Sequence, residues 1–165
     1  MKKLFLSMIL CLSLNNSIQA QQAYTNLLEK AKSTLNDQNA YPMVKQISQF
    51  KKDALEYLSM KMKTDMPDSS TNYLDKQALA LDNFVNYYIQ NLLNSQSQPA
   101  AYQVKIMKIF MDATVSNPLF NDKERDITWA YFNDAKSITR FSLDTDWPRA
   151  TVAAMNQIEK EKSKP

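Results

Sequence analysis

The chain predicts an all-α fold, a compact bundle of five to six amphipathic, mostly antiparallel helices following a cleaved signal peptide. Three observations carry that expectation. The 165 residues include no glycine, whereas average usage of about 7% would supply roughly a dozen. Tight hairpins need positive φ and so rely on glycine or Asn-Gly, while helices need only caps such as Asn, Asp, Ser or Pro. Pro42, Pro67, Pro99, Pro118 and Pro148 punctuate the chain, and between them apolar residues recur at helical spacing.

The N-terminus reads differently. Lys2 and Lys3 precede an apolar run from Leu4 to Leu14, then a polar stretch ending on Ala20. Charged, then apolar, then polar with a small residue at the cut is the order of a secretory signal. The run is too short to cross a bilayer, which takes ~20 residues. Cys11 follows Leu10, where lipid-anchored chains carry a small residue, so a lipoprotein is not expected. Cleavage after Ala20 leaves residues 21–165 as a single helical domain, exported to the periplasm or the exterior. The signal takes Cys11, the only cysteine, and two lysines. The remainder forms no disulfide and carries 18 basic against 17 acidic residues, a formal charge of +1. A near-neutral surface argues against nucleic-acid binding, and no transmembrane segment is expected.

The helices follow in order. Residues 22–36 place Tyr24, Leu27, Leu28, Ala31 and Leu35 on one face. The second helix opens at Pro42, a favoured first-turn residue. Its stripe runs Val44, Ile47, Phe50, Ala54, Leu55, Tyr57, Leu58, Met62 and ends before Pro67. Asp68-Ser-Ser-Thr caps the third, over residues 73–94. Leu74, Ala78, Leu81, Phe84, Val85, Tyr88 and Leu92 form its stripe, and Leu79, Ile89 and Leu93 widen it, as in a central helix touched on several sides. The fourth has Ser97 as cap, Pro99 in its first turn, and Tyr102, Ile106, Ile109, Phe110 and Ala113 inward. A fifth begins near Asn121-Asp122 and frays near Asn133-Asp134. A short turn or extended piece covers 135–141. The last helix starts around Asp146-Trp147-Pro148, with Trp147, Thr151, Ala154, Met155 and Ile158 inward, and runs to about Lys160. The tail 161–165 frays.

Absences bound the chemistry. There is no histidine, so no Ser-His-Asp triad and no histidine metal cage. Without glycine there is no phosphate loop or dinucleotide fingerprint. No cofactor, no metal and no catalytic residue are expected. Ser142-Leu-Asp-Thr-Asp-Trp147 is the most distinctive string. Two carboxylates beside a tryptophan could hold a cation or sugar, although calcium would need six to eight oxygens. The plainer reading is a helix cap: Asp144 or Asp146 accepts orphan amides and Trp147 staples the end to the core. Asp122, Glu124 and Asp126 read as a solvated first turn rather than the facing carboxylates of a glycosidase. In Met60-Lys-Met-Lys-Thr-Asp-Met66 the lysines complement the helix dipole. Sixteen aromatics follow Ala20. At helical spacing they are mainly core, but Tyr87 and Tyr88 cannot share one narrow stripe, and an exposed aromatic patch would mark a binding surface. The candidate ligand or partner surface is therefore Tyr87, Tyr88, Trp129, Asp144, Asp146 and Trp147.

Ser116-Asn-Pro-Leu-Phe-Asn-Asp122, with Phe141-Ser-Leu-Asp-Thr-Asp-Trp147, resembles the C-terminal half of small exported all-helical bacterial proteins of unknown function. The resemblance covers about residues 70–155. It implies export and a helical fold, and no activity. The function expected on these grounds is an exported, non-enzymatic interaction or binding module whose partner is another envelope or secreted protein. The alternatives are a carboxylate-dependent hydrolase of envelope glycans using Asp144 or Glu124, and a carrier of a small apolar ligand in a cavity of ~300 Å³ or more.

Overall fold

Helical spacing becomes helix wherever a stripe finds a partner, and the computed structural model, which describes residues 22–163, shows five long helices and two single turns. These are α1 (Ala23–Asn36), α2 (Pro42–Asp65), α3 (Thr71–Asn94), α4 (Ala100–Val115), α5 (Arg125–Thr128), α6 (Ala130–Asn133) and α7 (Trp147–Lys162). No strand occurs among the described residues. No helix of the described residues is long and apolar enough to cross a membrane. The expected export signal lies outside the described residues.

The stripes of α2, α3, α4 and α7 meet in one apolar core. Phe50, Leu55 and Leu58 of α2, Leu81, Phe84 and Tyr88 of α3, Ile106 and Phe110 of α4, and Trp147, Ala154 and Ile158 of α7 are almost wholly buried there. Their rings meet edge to face, the arrangement the ring quadrupole favours. Phe84 lies 5.3 Å from Phe110, 5.2 Å from Phe141 and 5.5 Å from Trp147. α3 is central, packed by α1, α2, α4 and α7.

Side-chain contacts give the directions. Lys51 of α2 bonds Asp82 of α3 at 2.6 Å, whereas Met62, eleven residues on, shares a recess with Leu74, so these helices run antiparallel. Lys105 pairs with Glu161, and the Asp146 amide reaches the Asn117 carbonyl at 2.8 Å, so α4 and α7 are antiparallel too. α1 is parallel to α3: the Tyr24 amide donates to Asp75 at 2.8 Å near the start of both helices, and further along both Thr34 shares a recess with Asn86.

Several boundaries differ from the pattern reading. α3 opens at Thr71, and α4 opens after Pro99, with no Ser97 cap. α7 continues to Lys162, into the stretch expected to fray, where Glu161 and Lys105 pair. The fifth helix is not continuous. It is two four-residue turns interrupted at Trp129 (φ −107°), and 135–141 adds no helix. The reason is tertiary: residues 116–146 are drawn onto other elements before a helix could lengthen. Leu79, Leu93 and Met155, placed inward by the stripe, are about half exposed. Leu79 and Leu93 sit at the edge of the α3 stripe, whose centre its neighbours already fill, and Met155 lies on α7, which is covered mainly by α3 and α4.

The 116–146 connection closes the core. Tyr131 packs on Phe50 at 5.1 Å and donates its hydroxyl to Asp53 at 2.6 Å. The Tyr88 hydroxyl donates to the Ile138 carbonyl at 2.9 Å. Phe141 then enters the interior with no exposed surface, touching Phe50, Phe84 and Tyr88.

Candidate functional site

The distinctive string is buried throughout: every residue from Phe141 to Trp147 is interior although none before Trp147 is helical. A non-helical backbone can lie inside a protein only if its polar groups find partners. The Ser142 amide donates to Thr114 Oγ1 at 3.2 Å, the Leu143 amide to the Thr128 carbonyl at 2.9 Å, and the Trp147 amide to Gln77 Oε1 at 3.0 Å. The Thr145 hydroxyl donates to the Ser142 carbonyl at 2.7 Å.

The two aspartates divide the capping work. Asp146 caps its own helix: it accepts the Arg149 amide at 3.3 Å and lies 3.3 Å from the Arg149 side chain. Asp144, 1% exposed, does not cap α7. Its Oδ1 accepts the amides of Leu119 (2.9 Å) and Phe120 (2.8 Å), and its Oδ2 that of Asp122 (2.8 Å). The loop curls around this carboxylate as backbone amides curl around an anion. The curl needs one residue in the left-handed region, Asn121 at φ 54°, the only positive φ among the described residues. Asparagine is the side chain that tolerates it best after glycine.

Asp122 joins the loop to α2. It accepts the Tyr57 hydroxyl at 3.0 Å and pairs with Lys61 at 3.4 Å. Its carboxyl is held below the usual range by the Glu124 amide first, then by Tyr57 and Lys61, against a burial effect that pushes it up. Burial first, and then the neighbouring Asp144 and Asp122, push the Tyr57 hydroxyl well above its ordinary value. Asp122 is thus a tether and not part of a solvated turn. Lys61 bridges Asp65 and Asp122 and lies over the Phe120 ring, a larger role than balancing the helix dipole.

The remaining candidates separate. Tyr88 and Trp147 are core, with 1% and 0% exposure. Tyr87 is half-buried against Phe110 at 5.6 Å. Trp129 lies elsewhere, half-buried, tilted on Phe132 and covered by the Arg125 guanidinium at 4.8 Å. Asp144, Asp146 and Trp147 lie in one buried stretch but take different partners, Tyr88 packs on Phe141 of the same stretch at 5.0 Å, and Trp129 stays apart. Glu124 is exposed at the start of α5. Among the described residues no three acidic side chains converge as a metal site would require.

Two surface features went unremarked in the sequence. A cleft of about 420 Å³ runs between α4 and α7, floored by Ile109, Ala113 and Ala153 and rimmed by Lys105, Lys108, Asp112 and Gln157. Its charges are matched in place, Lys108 to Asp112 at 2.6 Å and Lys105 to Glu161. The second is the α1–α2 turn. Tyr41, Met43 and Val44 are 78%, 47% and 42% exposed, and Pro42 between them is exposed as well. Val44 also lines a recess of about 210 Å³ with Leu27, Ala31 and Ile47, edged by Lys30 and Lys51. Periodicity assigned Val44 to the core stripe, but in the first turn of α2 it borders the recess against α1 and stays 42% exposed. The signal that could have marked it was the unbroken apolar run Ala40-Tyr-Pro-Met-Val44 at a turn, where polar residues are the norm.

No protein-family model, curated protein or solved structure matches the chain.

Proposed function

We propose that the protein is an exported, non-enzymatic interaction module that engages another envelope or secreted protein through the apolar end formed by Tyr41, Pro42, Met43 and Val44. The observation that carries this reading is the exposure of those four consecutive residues at one end of the bundle. Single exposed apolar side chains are ordinary, but adjacent ones form a patch, and patches mark contact surfaces. Tyrosine suits such a contact because it offers a rigid, amphipathic surface at small entropic cost. The neighbouring recess lined by Val44, Leu27 and Ile47 would receive a partner's side chain.

Export is supported by the charged, apolar and small-residue order of residues 2–20. The non-enzymatic reading is supported by the occupation of the carboxylates: Asp144 holds three amides, Asp146 a helix start, and Asp53 and Asp122 tyrosine hydroxyls.

The test is a photo-reactive amino acid placed at Tyr41 or Val44 of the exported protein in cells, with exposed Gln90 as control. The reading expects one discrete heavier adduct from the first two positions and none from the third. No adduct, or equal adducts from all three, overturns it.

A further inference from the structure

Ser48 lies in the second turn of α2 and is 8% exposed, and its hydroxyl has no hydrogen-bond partner among the described residues. A helical serine or threonine commonly turns back to the carbonyl four residues earlier. Thr34 on α1 does so, donating to the Lys30 carbonyl at 3.0 Å. Ser48 instead lines the recess of about 210 Å³ between α1 and α2, beside Leu27, Ala31, Val44 and Ile47. Lys30 stands at the edge of the same recess, exposed and without an acidic partner among the described residues. The other two charges there cancel. Lys51 meets Asp82 at 2.6 Å, and Asn86 serves both, accepting from Lys51 at 3.0 Å and donating to Asp82 at 2.9 Å.

The recess therefore offers an apolar floor, a buried hydroxyl free to donate and one uncompensated ammonium. That set fits an apolar group and a carboxylate held close together. The volume falls below the ~300–1,000 Å³ of small-molecule sites, and so suits a single residue. α1 and α2 form two walls, and Asp82 and Asn86 of α3 form a third, which suits the end of a chain better than a segment passing through. We propose that this recess captures the C-terminal residue of the partner protein, its aliphatic side chain on the apolar floor and its α-carboxylate bonded by Ser48 Oγ and Lys30 Nζ. This rests on the interaction reading and names the part of the partner that is recognised. Val44 belongs to both the recess and the exposed end, so the residues preceding the terminus lie across Tyr41, Pro42 and Met43.

The experiment titrates the purified protein and follows its backbone amides by NMR. The probes are a serine–alanine pentapeptide ending in leucine with a free carboxylate, the same peptide as its C-terminal amide, and isocaproate, which carries the leucine side chain and a carboxylate without the peptide. The free-acid peptide should shift the amides of Leu27, Ala31, Val44 and Ile47, and the other two probes should bind at least about tenfold more weakly. Lys30→Met should weaken the free acid about threefold to fivefold, as for an exposed ion pair, and Ser48→Ala about tenfold. Exposed Lys160→Met on α7 should change nothing. Equal affinity for acid and amide, or shifts confined to other residues, overturns the proposal. Isocaproate binding as tightly as the peptide assigns the recess to a free acid, and the same shifts on concentrating the protein alone assign it to a second copy; either overturns it. The photo-cross-link from Val44 separates this inference from the reading beneath it. An adduct undiminished in Lys30→Met and Ser48→Ala overturns C-terminal capture and leaves the interaction module standing, whereas no adduct in the natural protein overturns both.

Discussion

Gln77 Oε1 accepts the backbone amide of Trp147 at 3.0 Å, seventy residues along the chain, and both groups are inside the protein. The same amide side chain meets Tyr73 at 3.2 Å and Asp146 at 3.5 Å. One glutamine in α3 therefore fixes where α7 begins. Gln77→Leu keeps the volume and removes the acceptor, leaving a buried N–H without a partner. The expected cost is about 1–3 kcal/mol, read as a lower urea midpoint with unchanged slope.

Asp144 holds three amides of a loop that a helix-cap reading would have left free. Asp144→Ala strands all three, and a loss of about 3–5 kcal/mol is expected. Amide hydrogen exchange should localise the damage: Leu119, Phe120 and Asp122 lose protection while the middle of α3 keeps its own.

Phe141 belongs to the connection and not to a helix, yet it has no exposed surface. Phe141→Ala should cost about 3–5 kcal/mol, the range for a buried aromatic. Leu93→Ala, on a helix but half exposed, should change stability by less than about 0.5 kcal/mol. Urea unfolding of the two variants distinguishes burial from helical position as the source of stability.

Acid sensitivity follows from Asp53, Asp65 and Asp122, all held below their ordinary 3.8. For Asp53, burial is the largest effect and pushes upward, but bonds from Gln49, Lys52 and Tyr131 outweigh it. For Asp65, Lys61 leads and Thr64 follows. The unfolded chain takes up these protons at higher pH than the folded one, so the stabilisation is complete above about pH 5 and declines as pH falls through the folded values. The urea midpoint should show that decline. In Tyr131→Phe the Asp53 carboxyl moves back toward its ordinary value, and the acid dependence should shrink.

The alkaline side has the opposite sign. Burial pushes Tyr88 from its ordinary 10.0 up to about 12, with Arg140 opposing, and burial leads the rise for Tyr57 and Tyr131. These groups favour folding fully below pH 10 and lose that contribution as pH rises through the folded values. Of the eight tyrosines, these three should ionise late, in step with unfolding, in a tyrosinate absorbance titration.

The sequence by itself determined the class of the fold and the identity of most of the core. Absent glycine and five punctuating prolines left helices as the available elements, and the stripes through Phe50, Leu58, Leu81, Phe84, Phe110 and Ile158 marked the buried faces. That information is local, because a helix face is defined by residues three and four apart. It also separated Tyr87 from Tyr88, which could not share a face. Only the tertiary structure decided the work of Asp75, Gln77, Asp144 and Phe141, whose partners lie tens of residues away. It also dissolved the expected fifth helix, since hydrogen bonds to Asp144 and Asp53 hold residues 119–131 in a path that a continuous helix could not follow. And it exposed the Tyr41–Val44 end, because a stripe records which face is apolar and not how completely its neighbours cover it.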